Sequence, residues 1–461
     1  MDTIKGAVDF ILGLGPSIML PIILTILGLL FGQKLGKSFR AGLTVGVGFV
    51  GINLVIELLS GSLGPAAQAL VHRLGLNLDV LDVGWPIGAA IAFGTPVAPI
   101  LIVLILILNV VLLATNLTKT MDIDLWNYWH FIFAGSVAYY KFDSMFMGLL
   151  VGCITAVIIF KLADWTAPAA EHHFGLPGVS FPHTESVNFA PLMYALNKVE
   201  DKIPGFNKLN ANPETIQKRF GIFGEPIMMG VILGIILGIL GGYDLAGILD
   251  LGIKLAAVLV ILPRMVSLLM EGLMPISEGS REFIQKRFPG KEIYIGLDAA
   301  VVVGHPAAMA ISLIMVPITI LLAAALPYNR MLPFADLAGI CYVTVWAVAA
   351  SRGNIVRGIV NSIITMAIIF FVGTDLAGLT TTMGKAVGFN FPEGATMISG
   401  IDLGGHIIPW MMIKILDFKD KAGMLLGLGA AVVYGLLWFW VRNDIKKQFA
   451  TEIAEKEEVA E

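Results

Sequence analysis

The chain has 461 residues, 57% of them hydrophobic and only 14% charged, with a mean hydropathy of +0.84 and a formal net charge of −4. These values lie outside those of soluble globular domains and put most of the chain in lipid, while nothing in them points to a nucleic-acid partner. The two cysteines, Cys153 and Cys341, sit inside apolar stretches and read as small packing residues, not as a disulfide or redox pair.

A helix crossing the hydrocarbon needs roughly 20 mostly apolar residues. In chain order, such stretches fall near 10–32, 41–62, 98–118, 126–141 and 145–163. They fall again near 222–242, 253–274, 308–327, 337–351 and 358–374, with an eleventh at 422–441. The first reads as a span and not a cleavable signal, because Asp2 and Asp9 surround a single Lys5. Two stretches are too long for one helix. Asp82 and Lys119 enclose 36 residues without Asp, Glu, Lys or Arg, and Asp298 and Arg330 enclose 31. Each opens on small residues and proline, Gly84-Trp85-Pro86 and Gly304-His305-Pro306, so each reads as a broken or re-entrant segment followed by a full span.

The chain repeats itself. Residues 16–32 moved forward by 210 positions coincide with eight of seventeen residues, among them Pro16 on Pro226, Gly28 on Gly238 and Gly32 on Gly242. Related halves in a membrane chain point to a transporter with its site at the repeat interface. Five spans per repeat make the second repeat inverted. Loop charges give the orientation, because Lys and Arg gather on the cytoplasmic side. Lys34, Lys37 and Arg40, the 198–219 lysines, Arg281 to Lys291, Arg352 and Arg357, and Arg442 with Lys446 and Lys447 all lie inside if the N-terminus is outside and the C-terminus cytoplasmic. Lys414, Lys419 and Lys421 are the exception. The fold expected is therefore all-α and integral to the membrane, with about 11 transmembrane helices in two inverted five-helix repeats. Its divisions are a first repeat over 1–165, a cytoplasmic linker over 166–220, a second repeat over 221–375, and a loop, last helix and acidic tail over 376–461.

No Walker loop, zinc spacing or catalytic constellation is present, and no cofactor is implied. What remains is a short set of polar residues in apolar surroundings, where such groups are functional candidates. Asp298 either accepts from two hydroxyls of a polyol or caps the hairpin helix after it. Asp79 and Asp82 hold the corresponding stretch of the first repeat, where capping suits one of them. Glu225 opens the sixth span before Pro226 and is either a dipole-favoured carboxylate or a ligand for hydroxyls. His130 lies in the fourth span and His305 on the second broken segment. Either offers a donor and an acceptor to hydroxyls, or packs as a hydrogen-bonded ring. His183, between Pro182 and Thr184, falls in the linker, where a surface loop competes with a site role. Trp85, Trp126 and Trp129 stack on a sugar or mark the interface. Arg264 snorkels or pairs with Glu271, and His172, His173 and His406 carry no readable signal.

Several of these residues belong to longer motifs. Gly13-Leu-Gly-Pro-Ser-Ile-Met-Leu-Pro21, Val47-Gly-Phe-Val-Gly51, Asp82-Val-Gly-Trp-Pro86, Asp124-Leu-Trp-Asn127 with Trp129-His130, Phe223-Gly-Glu-Pro226, Ile295-Gly-Leu-Asp298 with Gly304-His305, and Arg352-Gly-Asn354 resemble the galactitol-specific enzyme IIC family. That family is the membrane component of the phosphoenolpyruvate-dependent phosphotransferase system. The likeness runs from the first span through the tenth and is looser after about residue 375, where Asp402 and Gly404-Gly405 still fit.

The resemblance implies the fold of the system's ascorbate transporter: inverted repeats plus an eleventh helix, a scaffold and a moving core, and a homodimer in the bacterial inner membrane. It implies Gly84, Trp85, His130, Asp298 and His305 as substrate-binding residues, with Glu225 and His183 behind them. It also implies that galactitol or a related polyol is carried inward by an elevator-like motion. A separate IIB protein, itself supplied by IIA and phosphorylated on a cysteine, then phosphorylates it. The basic loops at 34–40 and 281–291 either receive IIB or only set topology. From the broken helices and repeats alone, an ion-coupled secondary transporter using Asp298 or Glu225 fits equally.

Overall fold

The computed structural model describes residues 16–75, 78–209, 211–213, 226–287, 292–389, 391 and 396–445. It is 76% helical. The first half runs α1 (Pro16–Leu30), α2 (Leu35–Leu74), β1 (Val80–Asp82), α3 (Trp85–Phe93), α4 (Ala98–Ala114), β2 (Thr120–Asp122), α5 (Tyr128–Phe142) and α6 (Met145–Phe174). It is followed by β3 (Val179–Ser180), α7 (Thr184–Val187) and α8 (Ala190–Glu200). The second half runs α9 (Pro226–Gly241), α10 (Leu245–Arg287), β4 (Tyr294–Gly296), α11 (Ala300–Val303), α12 (Pro306–Ala325), β5 (Met331–Leu332), α13 (Ile340–Ala350) and α14 (Ile355–Ala386). Then come β6 (Met397–Ser399), α15 (Ile401–Gly404), α16 (Ile407–Leu416) and α17 (Lys421–Val441).

Four helices, α6, α12, α14 and α17, are each long and apolar enough to cross a bilayer unaided. Among the described residues, the first broken segment meets that requirement only when its two helices are taken together. There α3 and α4 meet at 91° across a short break at residues 94–97, beyond the Gly84-Trp85-Pro86 that starts α3. The chain is thus a predominantly helical membrane protein.

Two helices exceed expectation. The apolar runs 41–62 and 253–274 lie inside α2 and α10, which have 40 and 43 residues. At about 1.5 Å per residue each reaches roughly 60 Å, twice the hydrocarbon thickness. Apolarity marks only the part of a helix that lipid covers. The α2 backbone continues past its polar end and stops at Gly75, whose φ of 64° ends the helix. The paired helices α9 and α10 approach through glycine: a Cβ on Gly234 would lie 2.5 Å from the Cα of Gly252, and one on Gly230 2.5 Å from the Cα of Ala256. Such contact replaces hydrophobic driving force with close backbone packing in lipid. Gly234→Val is therefore expected to separate α9 from α10. Overpacking of this kind costs about 1–3 kcal/mol or more, read as a loss of monodisperse protein on size-exclusion chromatography in detergent.

The strands were not anticipated by the helical reading. They form two three-stranded parallel sheets in the orders β5-β1-β6 and β2-β4-β3. Val80 pairs with Met331 and Met397, and Tyr294 pairs with Thr120. Ile295 pairs with Val179 on the other side. In each sheet the central strand leads into a broken segment of one half, one edge comes from the other half (β5 or β2), and the second edge from the stretch that follows that other half (β6 or β3). The physical reason is backbone satisfaction. Extended chain at membrane depth must find its hydrogen bonds inside the protein, and buried parallel pairing supplies them.

The stretch read as a linker is structured throughout its described part. The α6 helix carries on to Phe174 and ends at Gly175 in the left-handed conformation. Residues 179–190 are buried, not splayed over the surface. Arg357 on α14 anchors the end of this stretch, its Nη1 donating to Asp201 at 2.7 Å and Asn197 at 2.9 Å. Asp79 and Arg330 pair at the open end of the first sheet, and the guanidinium holds the Asp79 carboxyl below its usual range. Cys153 lies half-buried in α6 and Cys341 buried in α13.

Candidate functional site

The two sheets end in a shared chamber. Its lining is Trp85, Trp126, Trp129, His183, Glu185, Asp298, Tyr342 and Asp402, drawn from both halves and from the stretch between them. The free volume is about 20 Å³, enough for a single water and too small for a sugar alcohol.

Carboxylates hold the chamber walls. Asp82, at the end of β1, accepts from the backbone N–H of Gly84 (3.0 Å), Phe334 (2.9 Å) and Asp336 (3.1 Å). Asp336 accepts from the N–H of Trp85 (2.7 Å) and of Asp402 (3.0 Å). Gly84 itself has φ of 82°, a conformation that glycine adopts without strain, and it turns the chain from β1 into α3. In the other sheet Asp124 accepts from the N–H of Trp126 (3.1 Å) and of Asp298 (3.3 Å). An acid from one half thus fixes the start of the broken segment in the other.

Asp298 holds the start of the helix after it. Its Oδ1 accepts from the N–H of Ala300 at 2.7 Å, the start of α11, while Oδ2 lies 3.7 Å from Nε2 of His183. The carboxyls of Glu185 and Asp402 both face the chamber. Trp85 and Trp126 meet edge to face at 6.1 Å, giving the wall an apolar corner.

A line of three histidines runs behind this wall. Nε2 of His183 is 3.3 Å from Nε2 of His130. Nδ1 of His130 is 3.2 Å from Nε2 of His406, and Nδ1 of His406 is 3.0 Å from the carbonyl oxygen of Asp402. Trp129 stacks on His130 with centroids 4.0 Å apart, and Tyr342 stacks on His183 at 5.2 Å and 13°.

The structure therefore gathers four of the seven candidate residues. Asp298, Trp85 and His183 line the chamber, and Gly84 makes the turn beside it. His130 is fully buried one layer back. His305 is elsewhere: its Nδ1 accepts from the N–H of Ala307 at 3.2 Å, capping α12, and its ring meets Phe174 edge-on. Glu225 lies outside the described residues.

Sequence reasoning missed Glu185, Tyr342 and His406 as members of this assembly, and gave Asp402 only as a motif match. Tyr342 was within reach of it. Both His130 and Tyr342 stand six positions after an Asp-Leu pair, Asp124-Leu125 and Asp336-Leu337, so the internal repeat makes them counterparts. His406 and Glu185 offered no such signal, because their neighbours in space are hundreds of residues away in sequence or hidden in a polar stretch.

Comparison with known proteins covers nearly the whole chain. Residues 10–394 match the family described as PTS system sugar-specific permease component, EIIC-GAT. The chain belongs to that family. It is 39% identical over 441 residues to the PTS system galactitol-specific EIIC component of Escherichia coli (strain K12), covering 95% of this chain and 97% of the relative. It is also 38% identical over 439 residues to a putative permease IIC component of the same strain, covering 95% and 100%. This EIIC chain is accordingly a multi-pass inner-membrane permease component, a translocating subunit that works with its IIA and IIB partners and is not a catalyst by itself.

Proposed function

We propose that this EIIC chain carries galactitol, or a closely related polyol, inward across the membrane for phosphorylation by phospho-IIB. The observation that supports this most is the chamber chemistry. Asp298, Glu185, Asp402 and His183 offer acceptors around a tryptophan-lined wall, and a polyol brings many hydroxyl donors and one apolar carbon edge. The name carried by the E. coli relative supports galactitol in particular.

In this reading Asp298, His183 and Trp85 touch the polyol, Gly84 lets the backbone turn beside it, and His130 and His305 hold the surrounding structure. Glu225 remains a proposed ligand at the start of the sixth span. The two halves are inverted repeats, 1–165 and 221–375, joined by 166–220 and followed by a last helix and acidic tail, with about eleven spans in all. The reciprocal exchange in which β5 flanks β1 and β2 flanks β4 supports that symmetry. The same exchange ties both broken segments into one body. That body moves as an elevator against α1, α2, α9 and α10, within a homodimer whose N-terminus is outside and C-terminus cytoplasmic. At the cytoplasmic face, near the basic residues of 34–40 and 281–291, the cysteine-bound phosphoryl group of IIB passes to a hydroxyl. A P–S bond breaks, a P–O bond forms and the hydroxyl proton is released.

Oriented vesicles carrying the chain test this with labelled galactitol. Galactitol phosphate is expected inside only when phosphorylated IIB is present. Unmodified galactitol accumulating on a proton or sodium gradient would instead identify an ion-coupled carrier and overturn the reading.

A further inference from the structure

We propose that His130 and His406 are positioning residues that fix the tautomer of His183, so that its Nδ1 stands as an acceptor for one substrate hydroxyl. This rests on the polyol reading above.

The proton positions follow from one end of the histidine line. Nδ1 of His406 faces a backbone carbonyl at 3.0 Å, and a carbonyl only accepts, so the N–H is on Nδ1. With one proton per ring, Nε2 of His406 is a lone pair. Nδ1 of His130, 3.2 Å away, must then donate to it, which makes Nε2 of His130 a lone pair in turn. Nε2 of His183 donates to that at 3.3 Å, and its Nδ1 is left as an acceptor. The reverse order would set a lone pair of His406 against the carbonyl lone pairs. One backbone oxygen therefore orients three side chains.

Two further observations agree. Nδ1 of His183 is buried and has no hydrogen-bond partner among the described residues, on a side chain that lines the chamber. The rings are also clamped against rotation, His130 by Trp129 and His183 by Tyr342. Oδ1 of Asp402 is a second unpartnered acceptor in the same wall. These two acceptors suit a substrate rich in O–H donors.

The chain has seven histidines, few enough for imidazole 15N NMR on the full-length protein in nanodiscs, with His183 assigned from H183N. The expected spectrum has His183 protonated on Nε2. H406L removes the acceptor and should give mixed tautomers at His183. It should also raise the KM for galactitol about tenfold with kcat changed less than about threefold, the scale of one hydrogen bond. H406Q supplies a side-chain carbonyl to His130 and should restore most of both. Finding His183 protonated on Nδ1 in the native protein would overturn the proposal, and so would an H406L variant with unaltered tautomer and KM. Resonances of His130 and His406 that shift with added zinc and return with EDTA would also overturn it. In that case a metal held by His130, His406 and Asp402, whose ligand atoms lie within 4.8 Å of one another, takes the lone pairs. Should H406L fail to fold, the native and H406Q spectra still decide. Because the tautomer is read without transport, failure of galactitol uptake would strike the proposed function and leave this assignment standing.

Discussion

Asp298→Asn is expected to lower the kcat/KM of galactitol uptake by roughly 10- to 100-fold while leaving the protein folded. The substitution keeps an oxygen for the N–H of Ala300, so the start of α11 survives. It places an amide N–H₂ where Oδ2 now lies, 3.7 Å from Nε2 of His183, which is itself a donor in the histidine line. A charged acceptor is lost to the substrate and two donors are set against each other. Hydrogen bonds to charged groups are worth about 1.5–3 kcal/mol, which gives the stated range. Vesicle uptake across a galactitol concentration series measures it. Wild-type uptake by the Asn variant would remove Asp298 from the binding site and leave it only a capping role.

Asp336→Ala is expected to act on the fold and not on substrate affinity. Its two carboxyl oxygens take the backbone N–H groups of Trp85 and Asp402, both inside the protein at chamber depth. Neither donor has a helical or sheet partner to fall back on, since each stands at the start of a short helix. Leaving a buried N–H unpaired costs about 1–3 kcal/mol, so the pair amounts to roughly 2–6 kcal/mol. Thermal unfolding in detergent should show a clear fall in Tm and a loss of folded yield. Asp336→Asn keeps one acceptor oxygen and should fall between the two. An Ala variant as stable as the native protein would show that the first broken segment is held by its strand β1 alone.

Much of the architecture was legible in the residues. Hydropathy located the helices, and Gly304-His305-Pro306 marked the break between α11 and α12, while Gly84-Trp85-Pro86 marked the start of α3 and not its break at 94–97. The lengths of α2 and α10 were not legible, because apolarity marks lipid contact and not helix ends. Nor were the strands: two or three extended residues beside a glycine carry no periodic signal, and their pairing joins positions more than 100 residues apart. At the site, Asp298 and Trp85 announced themselves as polar or aromatic residues on a broken segment. His183 looked like part of a loop because its neighbours are polar and proline-rich.

The sequence by itself determined that this chain lives in a membrane, that it carries an internal repeat and two interrupted helices, and which family it joins. These are properties of composition and of local patterns, which survive without knowledge of contacts. Only the tertiary structure decided that each half lends an edge strand to the other's sheet and that Glu185, Tyr342, Asp402 and His406 stand beside Asp298 and His183. It alone also sent His305 to cap a helix away from the chamber. Backbone at membrane depth must close its hydrogen bonds within the protein, and the partners that do so are chosen by the fold, however far apart they lie along the chain.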